Sequence, residues 1–136
     1  MQKLESLRFL VVDDMLTMRK IVSHQLKSLG ITQIVEANDG STAWEALERA
    51  TQSNEPVQFI VSDWNMPILP GIDLLRKCRA SPAYKDVAFL LLTAESEVAQ
   101  VKEALLAGVD NYLVKPFTPA ALSEKLNAIH RKRFST

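Results

Sequence analysis

At 136 residues, 47% hydrophobic and 24% charged, the chain has the make-up of one folded domain with one core. Sixteen basic and 16 acidic side chains cancel, which argues against a general nucleic-acid or membrane surface, and the apolar runs are too short to span a bilayer. Cys78 is the only cysteine, so no intramolecular disulfide can form; with no signal-peptide pattern at the N-terminus, a cytoplasmic monomer is expected.

Short apolar runs alternate with segments of helical period, the pattern of βα units and a parallel sheet. The first strand is expected at 8–13 and its helix at 16–29, with Met18, Ile21, Val22, Leu26 and Leu29 on one face and Gly30 as the stop. A weaker strand, 32–37, leads to a helix over 40–50 that carries Ala43, Trp44, Leu47 and Ala50. After a polar loop, strand 57–63 carries the uninterrupted apolar run Phe59-Ile60-Val61, as a strand covered on both faces should. The loop Asn65–Gly71 precedes a helix over 72–80 with Leu74, Leu75 and Cys78 inward, then a strand at 87–92. Ser96 reads as an N-cap for a helix with Val98, Val101, Ala104 and Leu105 at helical spacing, and Gly108 ends it. A fifth strand at 110–114 and a last helix, capped by Thr118-Pro119 and striped by Leu122, Leu126 and Ile129, complete the pattern. Residues 1–6 and 132–136 are expected to be loose, and Arg131-Lys132-Arg133 reads as a solvated helix end. His24 and His130 are expected on the surface, Met18 and Met66 in packing, and Trp64 with a partly exposed ring.

The strand ends carry the chemistry. Asp13 and Asp14 follow Phe9-Leu10-Val11-Val12, Asp63 ends Phe59-Ile60-Val61-Ser62, Thr93 ends Phe89-Leu90-Leu91-Leu92, and Lys115 ends Tyr112-Leu113-Val114. Ligands of a parallel α/β sheet bind outside the carboxyl ends of its strands, so these residues predict one acidic pocket with a lysine and a hydroxyl. Mg²⁺ takes hard oxygen ligands and usually only one or two carboxylates, and an aspartate can act as a nucleophile toward phosphorus. Singly, an Asp-Asp pair could cap a helix and Lys115 could be a surface lysine; five such residues at successive strand ends argue for a site.

Five segments, Val11-Val12-Asp13-Asp14, Thr17-Met18-Arg19, Ser62-Asp63-Trp64-Asn65-Met66-Pro67, Thr93-Ala94-Glu95 and Tyr112-Leu113-Val114-Lys115-Pro116-Phe117, occur in the order and spacing of a known family. The chain resembles bacterial two-component response-regulator receiver domains over nearly its whole length, and most closely the chemotaxis branch. The resemblance implies a flavodoxin-like, doubly wound (βα)5 fold with a parallel sheet in the order 2-1-3-4-5, here as one receiver domain over 1–136. It implies Asp63 as phosphoacceptor from a sensor histidine kinase. Mg²⁺, or Mn²⁺ in its place, would be held by Asp14, Asp63 and the Asn65 carbonyl, with Asp13 acting through water. Lys115 and Thr93 would contact the phosphoryl group. Thr93 and Tyr112 would form the switch, Asn65 and Glu95 would tune phosphoryl loss toward fast self-dephosphorylation, and the Lys115-Pro116 bond would be cis.

The family role is that of a signalling domain with self-phosphorylation and self-dephosphorylation activity rather than an enzyme acting on a separate substrate. The implied partner surface holds Glu97, Val98, Val101, Leu105, Tyr112 and Lys125, facing a downstream protein such as a flagellar motor switch, and a phosphatase is a further partner. Where chemotaxis members place two lysines, this chain has Glu97 and Val98, which should alter partner steering. Met15 replaces a phenylalanine, and Pro70 replaces the aspartate of the loop after the acceptor and is expected to start the next helix. Two alternatives stay open: a phosphate sink or non-motor phosphorelay shuttle, and an aspartyl-phosphate phosphohydrolase. The last is disfavoured because Trp64 and Asn65, not a second acid, follow Asp63.

Overall fold

The computed structural model describes residues 2–94 and 98–134. Its elements are β1 (Phe9–Val12), α1 (Leu16–Ser28), β2 (Ile34–Ala37), α2 (Gly40–Gln52), β3 (Phe59–Asp63), α3 (Gly71–Arg79), β4 (Ala88–Thr93), α4 (Val98–Leu106), β5 (Asn111–Val114) and α5 (Pro119–Phe134). The strands form one parallel sheet in the order β2-β1-β3-β4-β5, as expected. Three inner strands must bury both faces, and β1, β3 and β4 are accordingly buried along their whole length.

Alternation along the strands feeds two apolar layers. Phe9, Val11, Phe59, Val61, Leu90 and Leu92 pack with Val22 and Leu26 of α1 and Leu122, Leu126 and Ile129 of α5. Phe9 and Phe59 stack there with ring centres 4.6 Å apart. On the opposite face Leu10, Val12, Ile60, Phe89 and Leu91 meet Ala43 and Leu47 of α2, Leu74, Leu75 and Cys78 of α3, and Ala104 of α4. Burial pushes the Cys78 thiol up to about 12, so it stays protonated at neutral pH. Iodoacetamide at pH 8 should leave native Cys78 unmodified and alkylate it only after unfolding; native labelling at the rate of a free thiol would contradict this burial.

Several expectations change. Ile21 and Leu29 of α1 are exposed, because Val22 and Leu26 already fill the space above the sheet. The edge strand β2 starts at Ile34, with Thr32 and Gln33 exposed before it. Helix α2 carries a capping box that the sequence reading passed over, with Asp39 accepting from the Thr42 amide and Thr42 accepting from the Asp39 amide.

The ends taken as loose are tethered as far as they are described. Leu4–Ser6 form a 3-10 turn, and His130 Nε2 lies 2.6 Å from the Gln2 carbonyl oxygen while its half-buried ring stacks on Phe134. The basic end of α5 is also engaged. Arg133 Nε donates to Asp110 Oδ1 at 2.7 Å, and Lys132 Nζ lies 3.6 Å from the same oxygen. The buried Asp110 carboxylate also receives the Phe89 amide at 2.9 Å and Arg79 at 3.4 Å. No helix among the described residues is long and apolar enough to cross a membrane.

Candidate functional site

Strand register decides what meets at the carboxyl edge. Val12 pairs with Ala37 and Ser62, Asp63 with Leu92, and Thr93 with Val114, so the residues at or just after these positions emerge together. Asp13, Asp14 and Asp63 each offer an oxygen within 4.8 Å of the others; Asp13 and Asp63 are buried and Asp14 is exposed at the rim. The Lys115 ammonium lies between two of them, 3.2 Å from Asp13 Oδ2 and 3.1 Å from Asp63 Oδ1. Its backbone continues the sheet, with the Lys115 amide donating to the Thr93 carbonyl at 2.7 Å, and the Lys115-Pro116 bond is cis. Thr93 is buried at the end of β4, next to this group.

Charge in the pocket is not balanced. Burial raises the Asp63 pKa, Lys115 opposes that rise, and the neighbouring Asp13 carboxylate adds to it. One ammonium among three carboxylates leaves room for further positive charge. The donors are hard oxygens, two of them shielded and one open to water, which suits Mg²⁺ and not a thiophilic metal.

Local backbone aims Asp63. The Trp64 amide donates to the Leu92 carbonyl at 2.8 Å and the Gly71 amide returns to the Trp64 carbonyl at 2.9 Å, closing the loop between β3 and α3. A Cβ on Gly71 would lie 2.1 Å from the Asp63 carbonyl oxygen, and one on Gly40 would lie 2.4 Å from that of Leu69. Both positions therefore need glycine for close backbone approach. Between them, Ile68 sits at φ +70° with the Leu69 amide donating to the Pro67 carbonyl at 2.7 Å, a tight three-residue turn strained for a β-branched side chain. Ile68 is 79% exposed.

Trp64 departs from expectation: it is only 9% exposed, because this loop folds its ring back onto the core beside Met66. Pro70 stands at the N-cap rather than inside α3, which begins at Gly71. Asn65 is exposed in the loop, Tyr112 is half-buried against the α2–α4 layer, and Lys125 Nζ is 5.8 Å from its ring centre. Val101 is half-buried and Leu105 exposed on α4. Glu95, Ser96 and Glu97 lie outside the described residues, as does the side chain of Val98.

The sequence reading passed over Gly40 and Glu36 and gave Gly71 and Arg19 no part in the site. Gly71 stood in view as a loop breaker, but its contact with Asp63 is visible only in three dimensions. The Arg19 guanidinium donates to the Asp13 carbonyl at 2.8 Å and to Glu36 of β2 at 2.9 Å, a pairing 17 residues apart in the chain.

Comparison with known proteins gives the family and the fold. The profile of the response regulator receiver domain matches residues 9–127. Chemotaxis protein CheY1 of Helicobacter pylori is 43% identical over 123 residues, covering 90% of this chain and 96% of that protein. The solved chemotaxis response regulator CheY4 of Vibrio cholerae superposes with a TM-score of 0.80 at 32% identity, over 90% of this chain and 98% of that one. The receiver domain of a Pseudomonas aeruginosa sensor histidine kinase, solved with a magnesium ion coordinated in its active-site cleft, gives a TM-score of 0.78 at 27% identity over 96% and 98%.

Proposed function

The chain belongs to the response regulator receiver family, and from that premise we propose that Asp63 accepts a phosphoryl group from a sensor histidine kinase and thereby switches binding of a downstream protein. The observation that carries the proposal is a buried carboxylate at a strand end with the Lys115 ammonium 3.1 Å from it and two further carboxylates alongside. Asp14, Asp63 and the Asn65 carbonyl would hold Mg²⁺, or Mn²⁺ in its place, with Asp13 acting through water. When bound, the cation would neutralise negative charge on the phosphoryl oxygens.

The protein's own groups do the remaining work. An Asp63 carboxylate oxygen attacks phosphorus while the bond from phosphorus to the phosphohistidine nitrogen breaks and its electron pair returns to the imidazole. Lys115 exchanges its contact with Asp63 for the phosphoryl oxygens, so positive charge stays where negative charge grows. Thr93, buried beside them, donates its hydroxyl to the phosphoryl group once it is present. Tyr112 then moves further into the α4–β5 surface, and the differential contact between the two states biases the switch. Incubation with a small acyl-phosphate donor and Mg²⁺ should add the mass of one phosphoryl group, and no mass gain would refute the reading.

Chemotaxis relatives make a flagellar motor switch the favoured target. A switch-derived peptide should bind the phosphorylated protein at least several-fold more tightly than the unmodified form. Equal binding of both forms would point instead to a phosphate sink. In either role the domain acts as a phosphoacceptor that also loses its own phosphoryl group.

A further inference from the structure

We propose that Arg19 is a positioning residue for the acidic pocket, orienting Asp14 by fixing the peptide that joins it to Asp13. The inference rests on the reading of that pocket as an Mg²⁺ site. Asp13 is held by its own groups: its amide donates to the Ala37 carbonyl at 3.2 Å, its Oδ1 accepts the Met15 amide at 2.9 Å, and its Oδ2 accepts Lys115 at 3.2 Å. Asp14 differs. Its side chain is exposed, and among the described residues its carboxylate has no hydrogen-bond partner. The position of its Cβ, from which the carboxylate reaches the pocket, is therefore set by the backbone alone, and above all by the Asp13–Asp14 peptide.

The carbonyl of that peptide is the one that accepts Arg19 Nη1 at 2.8 Å. Arg19 is itself anchored, with Nε donating to Glu36 Oε1 at 2.9 Å and its side chain only 16% exposed. Glu36 also accepts Lys20 Nζ at 3.0 Å through its other oxygen. Burial works against ionisation of Glu36, but the Lys20 and Arg19 bonds outweigh it and hold the carboxyl below its ordinary range. The result is a chain of contacts from the edge strand through a planar guanidinium to the turn that presents Asp14. A guanidinium can serve both acceptors at once with fixed geometry, which an ammonium on a flexible stem cannot.

The test is Mg²⁺ binding measured by calorimetry, with the urea midpoint followed in parallel. Arg19→Ala should weaken Mg²⁺ by about 10-fold, the lower end of what loss of an outer-shell partner costs. Arg19→Lys keeps charge and bulk and should still lose several-fold, so it serves if the alanine variant unfolds. Lys20→Ala touches Glu36 but not Asp13, and should leave Mg²⁺ affinity within two-fold of the parent. Unchanged affinity in the folded Arg19 variants, or an equal loss in Lys20→Ala, would overturn the positioning role. A parent protein that does not bind Mg²⁺ would overturn the metal reading, and this proposal with it.

Discussion

Asp63→Asn is expected to abolish Mg²⁺-dependent phosphoryl labelling, a loss of at least about 10³-fold, while the protein stays folded. The amide keeps the size of the carboxylate but has no anionic oxygen to attack phosphorus. The fold should tolerate the change because it removes one of three crowded negative charges. The parent Asp63 pKa is raised by burial and by Asp13 despite Lys115, so its ionised form is disfavoured in the folded state relative to the unfolded chain. A neutral side chain escapes that penalty and exchanges the Lys115 ion pair for a weaker hydrogen bond to the amide oxygen. Intact-mass measurement after exposure to an acyl-phosphate donor reads the result directly. Equal labelling of parent and variant would move the acceptor elsewhere, with Asp13 and Asp14 the first to examine.

Gly71→Ala should be the most damaging single methyl group near the site. Its Cβ would fall 2.1 Å from the Asp63 carbonyl oxygen, 3.0 Å from the Asp63 carbonyl carbon and 3.1 Å from Leu91 Cδ2. The first two neighbours are backbone at the end of a central strand, which cannot turn aside as a side-chain tip can. Relief requires shifting the start of α3 or the end of β3, and overpacking of this kind costs about 3 kcal/mol or more. The same shift would carry Asp63 away from Lys115, so labelling should fall along with the urea midpoint. An alanine variant with the parent midpoint would show that the loop yields at little cost.

Much of the molecule was legible because strands covered on both faces leave continuous apolar runs, and Phe9–Val12, 59–61 and 88–92 are such runs. Placing polar residues at their ends then located the pocket without knowledge of contacts. Reading failed where a side chain's fate depends on what lies across space. Ile21 and Leu29 share the helical period of Val22 and Leu26, but the width of the α1 footprint on the sheet decides which of them is covered. Trp64 next to Asp63 invited an exposed ring, yet the Trp64–Leu92 and Gly71–Trp64 hydrogen bonds turn the chain so that the ring enters the core. Lys132 and Arg133 looked like a solvated tail because their partner, Asp110, belongs to the turn before β5.

That Asp110 cluster lies at the amino end of the sheet, opposite the pocket. One shielded carboxylate gathers the end of α3 through Arg79, the start of β4 through the Phe89 amide and the end of α5 through Arg133. Mechanically, the three elements are tied to one another at this edge, like blades set in a common handle. Under the proposed switch, a displacement that begins at Thr93 or Lys115 would die away toward the clamp. Because the carboxylate is shielded from solvent, added salt screens the clamp far less than it screens the surface ion pairs.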